Sequence, residues 1–115
     1  MRHEEQKIQM DIVQWIRLQY PDVLLTISTG GFLTSAKAGN KAKKLGYNPG
    51  VPDLIFFEPR GIYKGLFIEL KNETGVCSKE QSQWQIELIE RDYFATVCHS
   101  FDVAINIIKE YLAIK

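Results

Sequence analysis

The chain has 115 residues, enough for one hydrophobic core and too few for two, so residues 1–115 read as a single domain. Hydrophobic residues make up 45% and charged residues 24%, an ordinary globular composition, and no apolar run approaches the roughly 20 residues of a membrane span. Fourteen basic residues balance fourteen acidic ones, which argues against a protein that coats nucleic acid by net charge alone.

The amino terminus is polar rather than signal-like, and the chain is expected in the cytoplasm of the producing or host cell. Residues 3 to 19 predict a first helix, because Ile8, Ile12, Trp15 and Ile16 recur at helical spacing, and Tyr20-Pro21-Asp22 ends it. Glu5 precedes Ile8 by three and Ile12 by seven and so falls on the apolar stripe. An acid there either needs a partner or answers the positive end of the helix dipole. Val23 to Ile27, β-branched and short, predicts the first strand.

Residues 28 to 50 hold five of the eight glycines, Gly30, Gly31, Gly39, Gly46 and Gly50, and read as a long loop that is functional or disordered. Neither G-x-x-x-x-G-K-[ST] nor G-x-G-x-x-G spacing is present, so a nucleotide cofactor is not expected. Lys37, Lys41, Lys43 and Lys44 lie in this segment without an acid, and the rest of the chain then carries ten basic against fourteen acidic residues. Positive charge concentrated in this way suits contacts to nucleic-acid phosphates, which position a substrate without reading its sequence. Tyr47 is a candidate to stack on a base or simply to pack.

Two apolar runs follow, Asp53 to Phe57 and Leu66 to Leu70, separated by Glu58-Pro59-Arg60-Gly61 and Gly65, and predict a hairpin. Side chains alternate along a strand, so Glu69 and Lys71 share one face while Leu66, Ile68 and Leu70 share the other. Pro52 suits the first position of a strand and puts Asp53 at its mouth, where it approaches Glu69 across the hairpin. Two carboxylates in an apolar setting call for a cation between them, and hard oxygen ligands suit Mg²⁺ or Mn²⁺. With Lys71 alongside, the constellation reads as a metal site that cuts phosphodiester bonds.

Asn72 to Val76 predicts a turn, and Ser78-x-x-Gln81 a capping box that opens a helix through Trp84, Leu88 and Ile89. Tyr93 to Cys98 predicts a strand, and Ser100 with Asp102 opens a last helix through Val103, Ile107, Ile108 and Leu112. Cys77 and Cys98 are expected to be free thiols; their spacing is not that of a zinc site, and His3 and His99 are far apart in sequence.

Gly50-Val51-Pro52-Asp53, then Glu69-Leu70-Lys71 sixteen residues after the aspartate, then Ser78-Lys79-Glu80-Gln81, resembles the PD-(D/E)xK nuclease superfamily. Within it the chain is most similar to the stand-alone VRR-NUC family of virus-type replication and repair nucleases. The resemblance runs from the helix bearing Glu5 and Gln9 to the closing helix. It implies a restriction-endonuclease-like α/β fold, a mixed β-sheet flanked by α-helices. It also implies that Asp53, Glu69 and the Leu70 backbone carbonyl bind the metal, that Lys71 is catalytic, and that Glu5 and Gln81 assist. Many members carry a glycine before the aromatic at Tyr93, where this chain has Asp92. The expected activity is Mg²⁺- or Mn²⁺-dependent cleavage of branched DNA, four-way (Holliday) junctions above all, by a homodimer of viral origin. The alternatives are a flap, nick or single-strand nuclease with the same site, and a DNA-binding module that does not cut.

Overall fold

Leu66, Ile68 and Leu70 project from one side of β3 (Leu66–Leu70) into the core, and all three are fully buried. Removing side chains of this size from water stabilises the fold by about 1.5–3 kcal/mol each. The structure is a computed structural model that describes residues 3–28 and 30–115. Leu54 and Phe56 of β2 (Leu54–Phe56) join the buried face of β3 through an antiparallel register in which Leu54 pairs with Ile68 and Phe56 with Leu66. β1 (Leu25–Ile27) pairs antiparallel on the far side of β2, and β4 (Phe94–Cys98) runs parallel to β3, giving a mixed sheet in the order β1-β2-β3-β4. β1 starts at Leu25 rather than at Val23.

Four helices flank the sheet. α1 (His3–Gln19) buries Ile12 and Ile16, and α4 (Phe101–Leu112) buries Ala104, Ile105, Ile108 and Tyr111, all in one cluster with the β2, β3 and Cys98 side chains. The Tyr111 hydroxyl donates to the Glu58 carbonyl (2.7 Å), which satisfies its one polar atom. α3 (Lys79–Glu90) covers the opposite face of the sheet, the face that carries Glu69. Two expected stripes shift by one position: Ile89 is 57% exposed and Val103 47% exposed. Leu88 is the residue that α3 buries, and in α4 the inward face is centred on Ile105 and Ile108, leaving Val103 on its edge.

The lysine segment is not a loop. α2 (Ala36–Lys44) is a nine-residue helix whose N-cap, Ser35, accepts from the Ala38 N–H (3.1 Å). Lys41, Lys43 and Lys44 fall in its last turn, where cations answer the negative end of the helix dipole. Three alanines supply helix propensity that the run of glycines and lysines hides from a search for apolar periodicity. At the end of α3, Asp92 adopts φ +68°, a left-handed conformation that glycine takes without strain. The glycine common at this place in the resembled family therefore has a backbone reason, which Asp92 meets at some cost.

Candidate active site

Asp53 stands immediately before β2, and its carbonyl accepts from the Ser28 N–H (2.9 Å), which fixes the strand mouth against the segment that follows β1. Its side chain turns across the hairpin, where Oδ2 accepts from the Leu70 N–H at 2.8 Å. Glu69, one residue earlier on β3, is 2% exposed. The two carboxyls therefore meet where β2 begins and β3 ends.

Burial pushes the Glu69 carboxyl up to about 9, and the Asp53 charge beside it adds to the effect. Burial also raises Asp53 above the ordinary carboxylate range, against the pull of the Leu70 N–H, a hydrogen bond from Glu69 and the Lys71 charge. Both shifts favour a proton kept by the pair in the metal-free protein, and the larger one, at Glu69, would place it there with Asp53 as its acceptor. With both acids ionised, Glu69 Oε1 is a buried oxygen with no hydrogen-bond partner.

That orphaned oxygen and the crowding of a buried Glu69 with a half-buried Asp53 fit a divalent cation, which would replace a proton held by the pair. Among the described residues no three His, Cys, Asp or Glu side chains cluster into a ready-made cage. A cation would then take two carboxylates together with backbone and water oxygens, the habit of Mg²⁺ and Mn²⁺ rather than of Zn²⁺. The Leu70 carbonyl follows Glu69 directly in the chain and is the expected backbone ligand.

Lys71 continues β3 through its N–H, which donates to the Cys98 carbonyl (3.0 Å), and its ammonium lies 3.8 Å from Glu69 Oε2. The same Glu69 oxygen accepts from Gln81 Nε2 (3.2 Å). Gln81 is also the closing residue of the capping box: its Oε1 accepts from the Ser78 N–H (2.8 Å) while its own N–H donates to Ser78 Oγ (3.1 Å). One Gln81 side chain thus closes the cap and contacts Glu69. Because the cap occupies the carbonyl end of the amide, only the NH₂ end is left for Glu69.

The first turn of α3 is in turn set by the chain before β2. Trp84 Nε1–H donates to the Pro49 carbonyl (3.0 Å), and Gly50, at φ +100°, lies so close to α3 that a Cβ there would come within 2.7 Å of the Glu80 carbonyl carbon. No other residue fits that approach.

Glu5 is 6% exposed and accepts from the Asn72 N–H (3.2 Å), so its place on the apolar stripe has a polar partner at the end of β3. The sequence marks Asn72 only as a turn residue. It is buried, its Oδ1 accepts from the Thr74 N–H (3.2 Å), and its carbonyl accepts from His99 Nδ1 (2.9 Å). Nothing in the local sequence signals these links, which join positions 5, 72 and 99. Gln9, one turn after Glu5, has a buried side-chain oxygen without a partner.

Glu5, Asp53, Glu69, Lys71 and Gln81 all line one open cavity of about 560 Å³, together with Ser28, Tyr47, Gly50 and Val76. Tyr47 thus borders the site, although its hydroxyl packs against Gly30. Lys37, Lys41, Lys43 and Lys44 are exposed and do not line the cavity, so the structure brings them near the site only through the chain that joins α2 to Tyr47. Cys77 and Cys98 are free thiols; burial raises Cys77 and pushes Cys98 up to about 11. No helix of the described residues is long and apolar enough to cross a membrane.

Fold and site together define an α/β domain with a close acid pair, Asp53 and the buried Glu69, and a lysine at the end of a central hairpin. Residues 3–102 match the VRR-NUC domain, and the chain belongs to that family. A solved structure described as a VRR_NUC domain protein superposes with a TM-score of 0.82 over 99% of this chain and 92% of that one, at 26% identity. Another, described as a VRR_NUC domain, superposes with a TM-score of 0.63 over 96% of this chain and 99% of that one; at 21% identity it supports the fold alone. No curated protein sequence matches the chain. Family membership assigns a nuclease-type role in DNA processing.

Proposed function

We propose that the chain is a Mg²⁺- or Mn²⁺-dependent endonuclease of the PD-(D/E)xK type that hydrolyses phosphodiester bonds in branched DNA, with four-way junctions as the expected substrate. The observation that carries this reading is the pair of a half-buried Asp53 and a buried Glu69, with one Glu69 oxygen lacking a partner, in an open cavity beside Lys71. Asp53, Glu69 and the Leu70 carbonyl would hold the cation. When bound, it supplies Lewis acidity that activates water and neutralises charge on the scissile phosphate.

The remaining steps belong to the chain itself. Lys71, 3.8 Å from Glu69 and anchored to β4 through its backbone, presents a positive charge to the phosphate as negative charge grows on it, or orients the attacking water. Gln81 keeps the Glu69 carboxyl in one orientation by donating to Oε2, and Glu5 holds the backbone just after Lys71 through Asn72. The described residues form no recognisable base-reading module, so recognition is expected to rest on the shape and backbone of the DNA. A four-way junction has two scissile strands related by a two-fold axis, and paired cuts would require a homodimer with one site per chain.

The test is cleavage of labelled four-way junction, flap and plain duplex with Mg²⁺, Mn²⁺ or EDTA, alongside Asp53→Ala. Metal-dependent paired cuts in the junction, abolished by the substitution, are the expected result. Cutting confined to flaps or single strands keeps the site and removes the junction. DNA binding without cutting under either metal overturns the catalytic reading.

A further inference from the structure

α2 is a helix without a buried residue. Only Ala38, Gly39 and Ala42 are half-buried, and at about 100° per residue these three share one side of the helix. Lys37, Lys41 and Lys44, spaced by four and three, fall within about 60° of one another on the opposite side, and Lys43 lies off that stripe toward the flank. All four lysines are exposed, and none forms an ion pair among the described residues. Like charges at i and i+4 with no acid between them weaken an isolated helix. The stripe therefore faces solvent with its charge uncompensated.

Its position relative to the cavity is fixed at the C-terminal end. The Tyr47 N–H donates to the Ala42 carbonyl (2.9 Å), folding the chain back on the last turn of α2 through Gly46 at φ +110°, and Tyr47 lines the cavity that holds Asp53 and Glu69. Lys44 is three residues from that tyrosine. The lysines are spaced along the helix axis by about 6 Å and then about 4.5 Å, a track of about 10 Å whose last member is three residues from the cavity-lining Tyr47.

We propose that Lys37, Lys41 and Lys44 form a phosphate-binding track for the DNA backbone that leads the substrate strand to the cavity, with Lys43 outside it. The proposal rests on the nuclease reading and adds to it which face of the protein grips the DNA. Charge complementarity selects the occupant: three uncompensated cations in a row fit a polyanion of regular spacing.

The test is binding without cutting. The full chain in EDTA is titrated with fluorescently labelled duplex and single-stranded DNA at several salt concentrations, for the wild type, the triple variant Lys37→Gln/Lys41→Gln/Lys44→Gln and the single variant Lys43→Gln. Glutamine retains helix propensity, and circular dichroism checks that α2 persists. The expected result is a fall in the slope of log K against log salt of up to about 2.7 for duplex or about 2 for single strands in the triple variant. Lys43→Gln should lower it by less than a third of that amount.

An unchanged slope in the triple variant gives the stripe to some other anionic partner and overturns the track while leaving the nuclease reading intact. A loss from Lys43→Gln equal to one third of the triple effect reduces the stripe to bulk charge and also overturns it. Absence of any DNA binding by the wild type at low salt removes the nuclease reading itself.

Discussion

The shared proton on Glu69 makes a quantitative prediction for the metal-free protein. In the unfolded chain this carboxyl titrates at its ordinary value of 4.5, and in the folded protein burial pushes it up to about 9. Between these values the native state binds a proton that the unfolded chain has released, so stability must fall as pH rises through that window. Below pH 4.5 both states are protonated and the contribution is flat. The slope is about 1.4 kcal/mol per pH unit, or roughly 4 kcal/mol between pH 5 and pH 8. That is a large share of the 5–15 kcal/mol typical of a small domain, and it is an upper limit, because water reaching the site relieves a charged Glu69.

Glu69→Gln removes the titration while keeping a donor for Asp53 and an acceptor for Gln81. Thermal or urea unfolding in EDTA should therefore find the variant close to the wild type at pH 5 and more stable by a few kcal/mol at pH 8. Parallel stability profiles for the two proteins across this range would refute a proton held at Glu69.

Three further outcomes follow from the same geometry. Gln81→Glu keeps an acceptor for the Ser78 N–H but has no NH₂ for Glu69, so helix content should persist while cleavage rate falls by roughly tenfold or more, the loss being of an oriented hydrogen bond of order 1.5 kcal/mol. Gly50→Ala must adopt φ +100° and displace the α3 backbone, and should cost about 1–3 kcal/mol in urea unfolding while also lowering activity. Asp92→Gly relieves a left-handed residue far from the acids and should raise stability by at most about 1 kcal/mol without changing cleavage; a loss of stability would show that the Asp92 side chain supports the turn.

What the sequence made legible was local. The alternation that puts Glu69 and Lys71 on one face and the Ser78–Gln81 box depend on spacings of two or three residues, the hairpin and the strand-mouth position of Asp53 on one break between adjacent apolar runs, and all are present in the fold. α2 escaped because its helix signal lies in alanines and a serine cap rather than in an apolar stripe. Ile89 and Val103 lie on the margins of their helix faces, where a periodicity count cannot separate half-turned from inward. Asn72 escaped for a different reason: its partners are the Glu5 carboxylate and His99, supplied by distant parts of the chain.

Those distances also bear on how the protein acquires its site. Glu5 reaches Asn72 across 67 residues, Asp53 reaches Leu70 across 17, and the Lys71 N–H waits for Cys98 of β4. No short segment contains the cavity, and each closure costs chain entropy before its contact forms. Chains still folding, or lacking β4, hold the same acids and lysine without all the contacts that fix them, and chains lacking α1 lose Glu5 as well. The cavity is therefore a readout of completed topology, formed only when the amino-terminal helix and the last strand have both docked on β3.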